Sequence, residues 1–78
     1  MKIKYIMTKN TYSDNETERV GYGIAAVTKE RGNQTVVQVY NDMSGEYEKV
    51  KGLVRLCNKG RLSLIHLPDV VEDFISVM

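Results

Sequence analysis

Hydrophobic and polar positions alternate strictly at the start of the chain. In KIKYIMT, residues 2–8, Ile3, Tyr5 and Met7 fall on one side and Lys2 and Lys4 on the other, the two-residue period of a strand with one wet face. KNTYSDNETE, residues 9–18, is polar and rich in Asn, Ser, Asp and Thr, a composition that predicts a long connection. Alternation returns in RVGYGIAAVTK, residues 19–29, with Val20, Tyr22, Ile24 and Ala26 on one face and Gly21, Gly23, Ala25 and Val27 on the other. ERGN then reads as a turn, with Gly32 and Asn33 both tolerant of positive φ. QTVVQVYN, residues 34–41, is rich in Val and Thr and predicts the second arm of a hairpin.

From residue 44 the period changes. In SGEYEKVKGLVRLCNKG, Tyr47, Val50, Leu53, Val54 and Cys57 recur at helical spacing, with Ser44 as the expected N-cap, Glu46 and Glu48 at the positive end, Lys59 in the last turn and Gly60 as the expected C′ residue. Gly52 costs this helix up to ~1 kcal/mol relative to Ala, so tertiary packing must hold it. RLSLIHL, residues 61–67, is too apolar for an exposed loop and reads either as a buried connection or as a short fourth strand. Pro68 suits a first helical position with His66 or Leu67 just outside. In the segment it opens, Leu67, Val70, Val71, Phe74, Ile75 and Met78 share one face and Asp69, Glu72, Asp73 and Ser76 the other, a second amphipathic helix.

The pattern therefore predicts one small α+β domain over residues 1–78, β-rich in 1–43 and helical in 44–78. Its architecture is a three-stranded antiparallel meander followed by two amphipathic helices on one sheet face. If the helices cover the Ile3/Tyr5/Met7 side, the other side carries lysines, glycines and, among the larger residues, Val36 and Tyr40. That face is left either wet or against a partner. A chain of 78 residues buries only about 60–65% of its unfolded surface, so the core is thin, and pairing with a copy of itself or a partner would complete it.

Composition narrows the class. Apolar residues at 42% and charged residues at 27% fit a globular chain rather than a disordered one. The single Cys57 has no internal disulfide partner, which favours a reducing, cytoplasmic setting. No signal-peptide h-region opens the sequence, and nothing approaches the ~18 consecutive apolar residues of a membrane span. The net charge of +1 excludes a polycation, but its distribution is uneven. Residues 49–61 hold five bases and no acid.

GYGIAA, residues 21–26, has the spacing of a dinucleotide-binding turn, and Asp42 stands where a ribose-binding acid would be. The glycines lie inside a strand, however, and the segment after them reaches a turn after six residues instead of opening the helix whose amino terminus would bind phosphates. The match is coincidental and no cofactor is expected. Gly21 and Gly23 instead mark a bulge or a close backbone crossing.

Other candidate chemistry is sparse. Cys57 and His66 are the sole thiol and imidazole, but Cys57 lies on an apolar helical stripe where a thiol acts as a small hydrophobe. His66 is placed to cap the following helix or to bond Asp69. Cys57, His66 and Asp69 lack the paired spacing of a zinc site, and no metal is expected. Asp69, Glu72 and Asp73 read as a solvated helix face near a positive helix end. The best binding feature is a basic ridge, Lys51, Arg55 and Lys59 at four-residue spacing, extended by Arg61. It would track phosphates with little sequence preference, although no aromatic residues interleave with it as a stacking platform.

Residues 53–78, through Leu56, Cys57, Asn58, then Ile65, His66, Leu67, then Val70, Val71, Glu72, Asp73 and Phe74, resemble the carboxy-terminal signature of a family of small uncharacterised proteins from anaerobic spore-forming bacteria. The β-rich part resembles it in outline, through Tyr22, Gly23 and Ile24. Leu64 stands where that family commonly has another residue, often proline. The resemblance implies a common fold and a cytoplasmic setting and carries no activity, because the family is a domain of unknown function. The expectation is a non-enzymatic module acting by protein contact, with a protein partner or as a homodimer. The alternative is a nucleic-acid-associated protein using Lys51, Arg55, Lys59 and Arg61.

Overall fold

A computed structural model describes residues 2–76. Strands β1 (Ile3–Asp14), β2 (Thr17–Glu30) and β3 (Asn33–Ser44) form an antiparallel meander in the order β1-β2-β3. Helix α1 (Tyr47–Lys59), a 3₁₀ turn at Leu64–His66 and helix α2 (Leu67–Ser76) follow. This is the α+β arrangement that the hydrophobic periods predict.

The polar segment after residue 8 is not a long connection. β1 and β2 stay paired as far as Asp14 and Thr17, leaving a tight turn at Asn15-Glu16 with Asn15 at φ 56°. Asn enters this left-handed region at little cost. Cross-strand contacts replace the missing hydrophobic pattern: Tyr12 faces Arg19 in the register, and the guanidinium carbon lies 5.9 Å from the ring centroid. At the next turn the positive φ values belong to Arg31 (51°) and Gly32 (83°), as the mirror-image turn of a two-residue hairpin requires. Asn33 is thus the first residue of β3, opposite Glu30.

Gly21 and Gly23 do mark a bulge. Tyr22 pairs with Ser44 and Ile24 with Tyr40, so residues 41–43 of β3 all face the single Gly23. The extra residues turn at Asp42, φ 55°, and cross over the glycines. A Cβ on Gly23 would overlap the Tyr40 carbonyl oxygen and lie 2.9 Å from Asn41 Cα, and one on Gly21 would overlap the Asp42 carboxylate. A second irregularity between Ala26 and Val27 bends β3 again.

The helices cover the face bearing Ile3 and Tyr5. Tyr5, Ile24, Ala26, Met43, Cys57, Leu67 and Val71 form the buried cluster, with Leu53, Val54, Leu62, Leu64, Val70 and Phe74 packed against it. Tyr40 belongs to this side as well and not to the open face, because the bulges change the alternation of β3.

Two caps differ from expectation. Ser44 ends β3, and its hydroxyl accepts from the Glu46 N–H at 3.1 Å, a turn that leads into α1 without capping it; Glu46 holds the N-cap position. At the other end Gly60 stays right-handed at φ −83°, and Arg61 takes the left-handed conformation at φ 50°. The Arg61 N–H donates to the Asn58 carbonyl at 3.2 Å and the Leu62 N–H to the Cys57 carbonyl at 3.0 Å, the paired bonds of a Schellman motif with Arg61 at C′. Leu62 is thereby steered toward the core, where the Tyr5 hydroxyl donates to its carbonyl at 2.7 Å. The apolar link forms a 3₁₀ turn, and no fourth strand occurs among the described residues. α2 begins one residue before Pro68. Of its predicted apolar face, Met78 lies outside the described residues.

Candidate functional site

Two surfaces stand out once the core is accounted for. The first is the sheet face opposite the helices. Strand alternation and the register place Lys2, Lys4 and Ile6 of β1 with its leading residue, Lys29, Val27 and Ala25 of β2, and Gln34, Val36 and Val39 of β3 on that side. Ala25 and Val27 are 2% exposed at its centre, whereas Val36 and Val39 remain 56% and 46% exposed. No helix covers them. The face grades from apolar in the middle to basic at the end nearest the β2–β3 turn.

The second surface is concave. A cavity of about 570 Å³ is lined by Lys2, Ile3, Lys4, Val27, Lys29, Gln34 and Asn58. A neighbouring one of about 520 Å³, lined by Arg61, Leu62, Ser63 and Leu64, shares Lys2, Ile3 and Asn58 with it. The two adjoin around the edge of β1. Their walls carry four cations and no acid. Asn58 lines both, its amide already engaged by the Tyr5 backbone in two bonds of 2.8 Å.

The predicted ridge is divided between these features. Lys51, Arg55 and Lys59 lie exposed along α1, with Lys51 Nζ 5.4 Å from the Tyr47 ring centroid. Arg61, past the helix end, lines the concavity. Among the described residues the one ion pair joins Glu46 to Lys49 at 2.7 Å. The four ridge cations are outside it.

The reactive side chains are separated by burial. Cys57 is 4% exposed within the core cluster, and burial pushes its thiol pKa up, away from the thiolate a nucleophile needs. His66 is exposed, its backbone N–H donating to the Ser63 carbonyl at 3.0 Å. Among the described residues no three His, Cys, Asp or Glu side chains gather as a metal set. No helix there is long and apolar enough to cross a membrane.

A family model described as a family of unknown function (DUF6514) matches residues 1–77. The chain belongs to DUF6514. No curated protein matches it, and no solved structure does. In this DUF6514 chain Lys2, Lys4 and Lys29 are the residues that sequence reasoning left unconnected. Lys2 and Lys4 were visible as the wet side of β1, but Lys29 joins them only through the β1–β2 register.

Proposed function

We propose that this domain works by protein contact, without chemistry of its own, through the sheet face its helices leave open. The observation that carries the reading is the exposed pair Val36 and Val39 on a face with an apolar centre and no covering layer. Antiparallel sheets tolerate one wet face, but a wet face is normally polar. Covering the remaining area of each valine would contribute about 1 kcal/mol, a useful increment for so thin a core. A second copy meeting the domain face to face is the simplest occupant. The lone, buried Cys57 supports a reducing, cytoplasmic setting, and the carboxy-terminal segment that resembles a signature of spore-forming anaerobes supplies Cys57, Leu67 and Val71 to the core and Asn58 to the Tyr5 backbone.

Sedimentation velocity tests the self-association form directly. A concentration-dependent dimer that Val36→Glu and Val39→Glu abolish supports it. A monomer at all concentrations leaves a different protein as the partner and rejects the dimer.

A second reading has its own observation. Lys51, Arg55, Lys59 and Arg61 are exposed and outside any ion pair among the described residues, as phosphate contacts would require. Charge reversal at Arg55 and Lys59 that lowers retention of DNA or RNA favours this reading. Unchanged retention removes it.

A further inference from the structure

We propose that the paired concavity around Lys2, Lys4, Lys29 and Arg61 is a binding site for a free anion carrying two or more linked phosphates. This goes beyond the contact reading: it concerns the basic end of the same sheet face, around Lys2, Lys4 and Lys29 with the adjoining Arg61, and not the exposed Val36 and Val39.

The argument begins with the like charges. Lys4 pairs with Val27 in the register, which makes Lys29, two residues on, its diagonal neighbour on the same face. Lys2 lines the same cavity. The residues opposite Lys29 and Val27 on β3 are Gln34 and Val36, so no cross-strand neighbour on this face offsets the lysines. Like charges gathered this way repel, and a concave, single-signed wall focuses its field on whatever enters it. An anion relieves the repulsion and gains the field.

The shape selects the class of anion. Lys4 and Lys29 belong to one cavity, Arg61 to the other, and Lys2 to both. A single phosphate satisfies one half. Linked phosphates reach from one to the other past the shared Lys2, meeting ammonium groups on one side and the forked guanidinium on the other, groups suited to phosphate oxygens. The Ser63 hydroxyl on the Arg61 side adds a neutral donor.

The end of α1 holds Arg61 in the wall of the second cavity. Arg61 occupies the left-handed conformation at a helix C′ position where glycine is the unstrained choice, although Gly60 stands one residue earlier. The same conformation occurs at Asn15, Arg31 and Asp42, and at Arg61 the paired bonds to Asn58 and Cys57 account for it. That turn leaves a cation in the cavity wall.

The test uses the intact chain with inorganic tripolyphosphate and orthophosphate at matched ionic strength, read by calorimetry and by the shift in Tm. Tripolyphosphate is expected to bind at least tenfold tighter than orthophosphate and to raise Tm. Lys29→Glu should weaken it at least fivefold, and Lys51→Glu with Arg55→Glu should change it less than twofold. Arg61→Gly is the decisive variant. Released from strain, it should melt higher than the original protein without ligand, yet gain less from tripolyphosphate. Equal affinity for the two phosphates overturns the proposal. So does Arg61→Gly or Lys29→Glu binding unchanged, an equal loss in the Lys51→Glu, Arg55→Glu variant, or binding of an oligonucleotide without tripolyphosphate.

Discussion

Asn58 holds Tyr5 by both of its backbone groups: the Tyr5 N–H donates to Asn58 Oδ1 and Asn58 Nδ2 donates to the Tyr5 carbonyl, each at 2.8 Å. β1 is an edge strand, and at Tyr5 the side-chain amide substitutes for the missing neighbour. The end of α1 is thereby fastened to the sheet, while the Tyr5 ring passes into the core and its hydroxyl reaches Leu62. The same contact blocks this part of the edge from pairing with another chain.

Asn58→Ala leaves two edge groups without their partner and should destabilise the domain by about 1–3 kcal/mol. Tyr5→Phe, which loses only the bond to Leu62, should cost about 0.5–1.5 kcal/mol. Urea denaturation of both variants checks the order. A larger loss for Tyr5→Phe would mean that the amide clamp is incidental.

The glycines divide by sign. Gly23→Ala places a Cβ into the backbone of the β3 bulge, where neither side can yield easily, and should cost at least ~2 kcal/mol. Gly52→Ala meets nothing within 4 Å and should stabilise α1 by up to ~1 kcal/mol. Thermal melts of the two should move in opposite directions. A stable Gly23→Ala protein would rule out the close crossing.

Alkaline pH should weaken the fold. Burial raises the pKa of Cys57, and burial together with the Cys57 charge raises that of Tyr5. Both groups are neutral when protonated, so above their unfolded values the unfolded chain has released protons that the folded chain retains. The contribution of these two groups to stability is therefore fully present below the ordinary thiol value, about 8.5, and is lost as pH rises beyond it. In Cys57→Ala the decline should begin later, toward the tyrosine range. A denaturation series from neutral pH upward shows whether the onset moves; an unchanged onset would detach the effect from Cys57.

Thr8 Oγ1 and Asn10 Nδ2 are buried without a hydrogen-bond partner, beside the bulge that covers the glycines. Replacing an unpaired buried hydroxyl by a methyl removes a desolvation penalty. Thr8→Val should be neutral or stabilising by up to ~1 kcal/mol, and a clear loss of stability would show that the hydroxyl is bonded in solution.

Where hydrophobic period carried the information, the elements agree with the structure, but the faces agree only in part: Tyr47 of the α1 stripe, Ile75 of the α2 stripe and Ile65 of the apolar link are 41%, 51% and 79% exposed. The alternation of Ile3, Tyr5 and Met7 and the stripe from Val50 to Cys57 locate β1 and α1 and the side of each that faces the core. Residues 9–18 misled because a hairpin arm wet on both faces has no apolar period, and its pairing depends on Asn15 turning and on contacts such as Tyr12 with Arg19. Gly60 misled for a related reason. Its composition suits C′, but the Schellman bonds that bring Leu62 to Tyr5 set the register one residue later, on Arg61. The ridge of Lys51, Arg55 and Lys59 was legible from helical spacing alone. The concavity was not, since it joins Lys2, Lys29 and Arg61 through strand register and the clamp at Asn58.

The claim that the open sheet face makes the contact is tested most directly by affinity capture of the tagged chain from its own cell lysate, with and without nuclease, beside the Val36→Glu, Val39→Glu variant. The account predicts a stoichiometric protein, a second copy or another chain, that survives nuclease, is lost with the double variant and is retained by Lys51→Glu, Arg55→Glu. Capture that the valine variant leaves intact, or that vanishes on nuclease treatment, would contradict it.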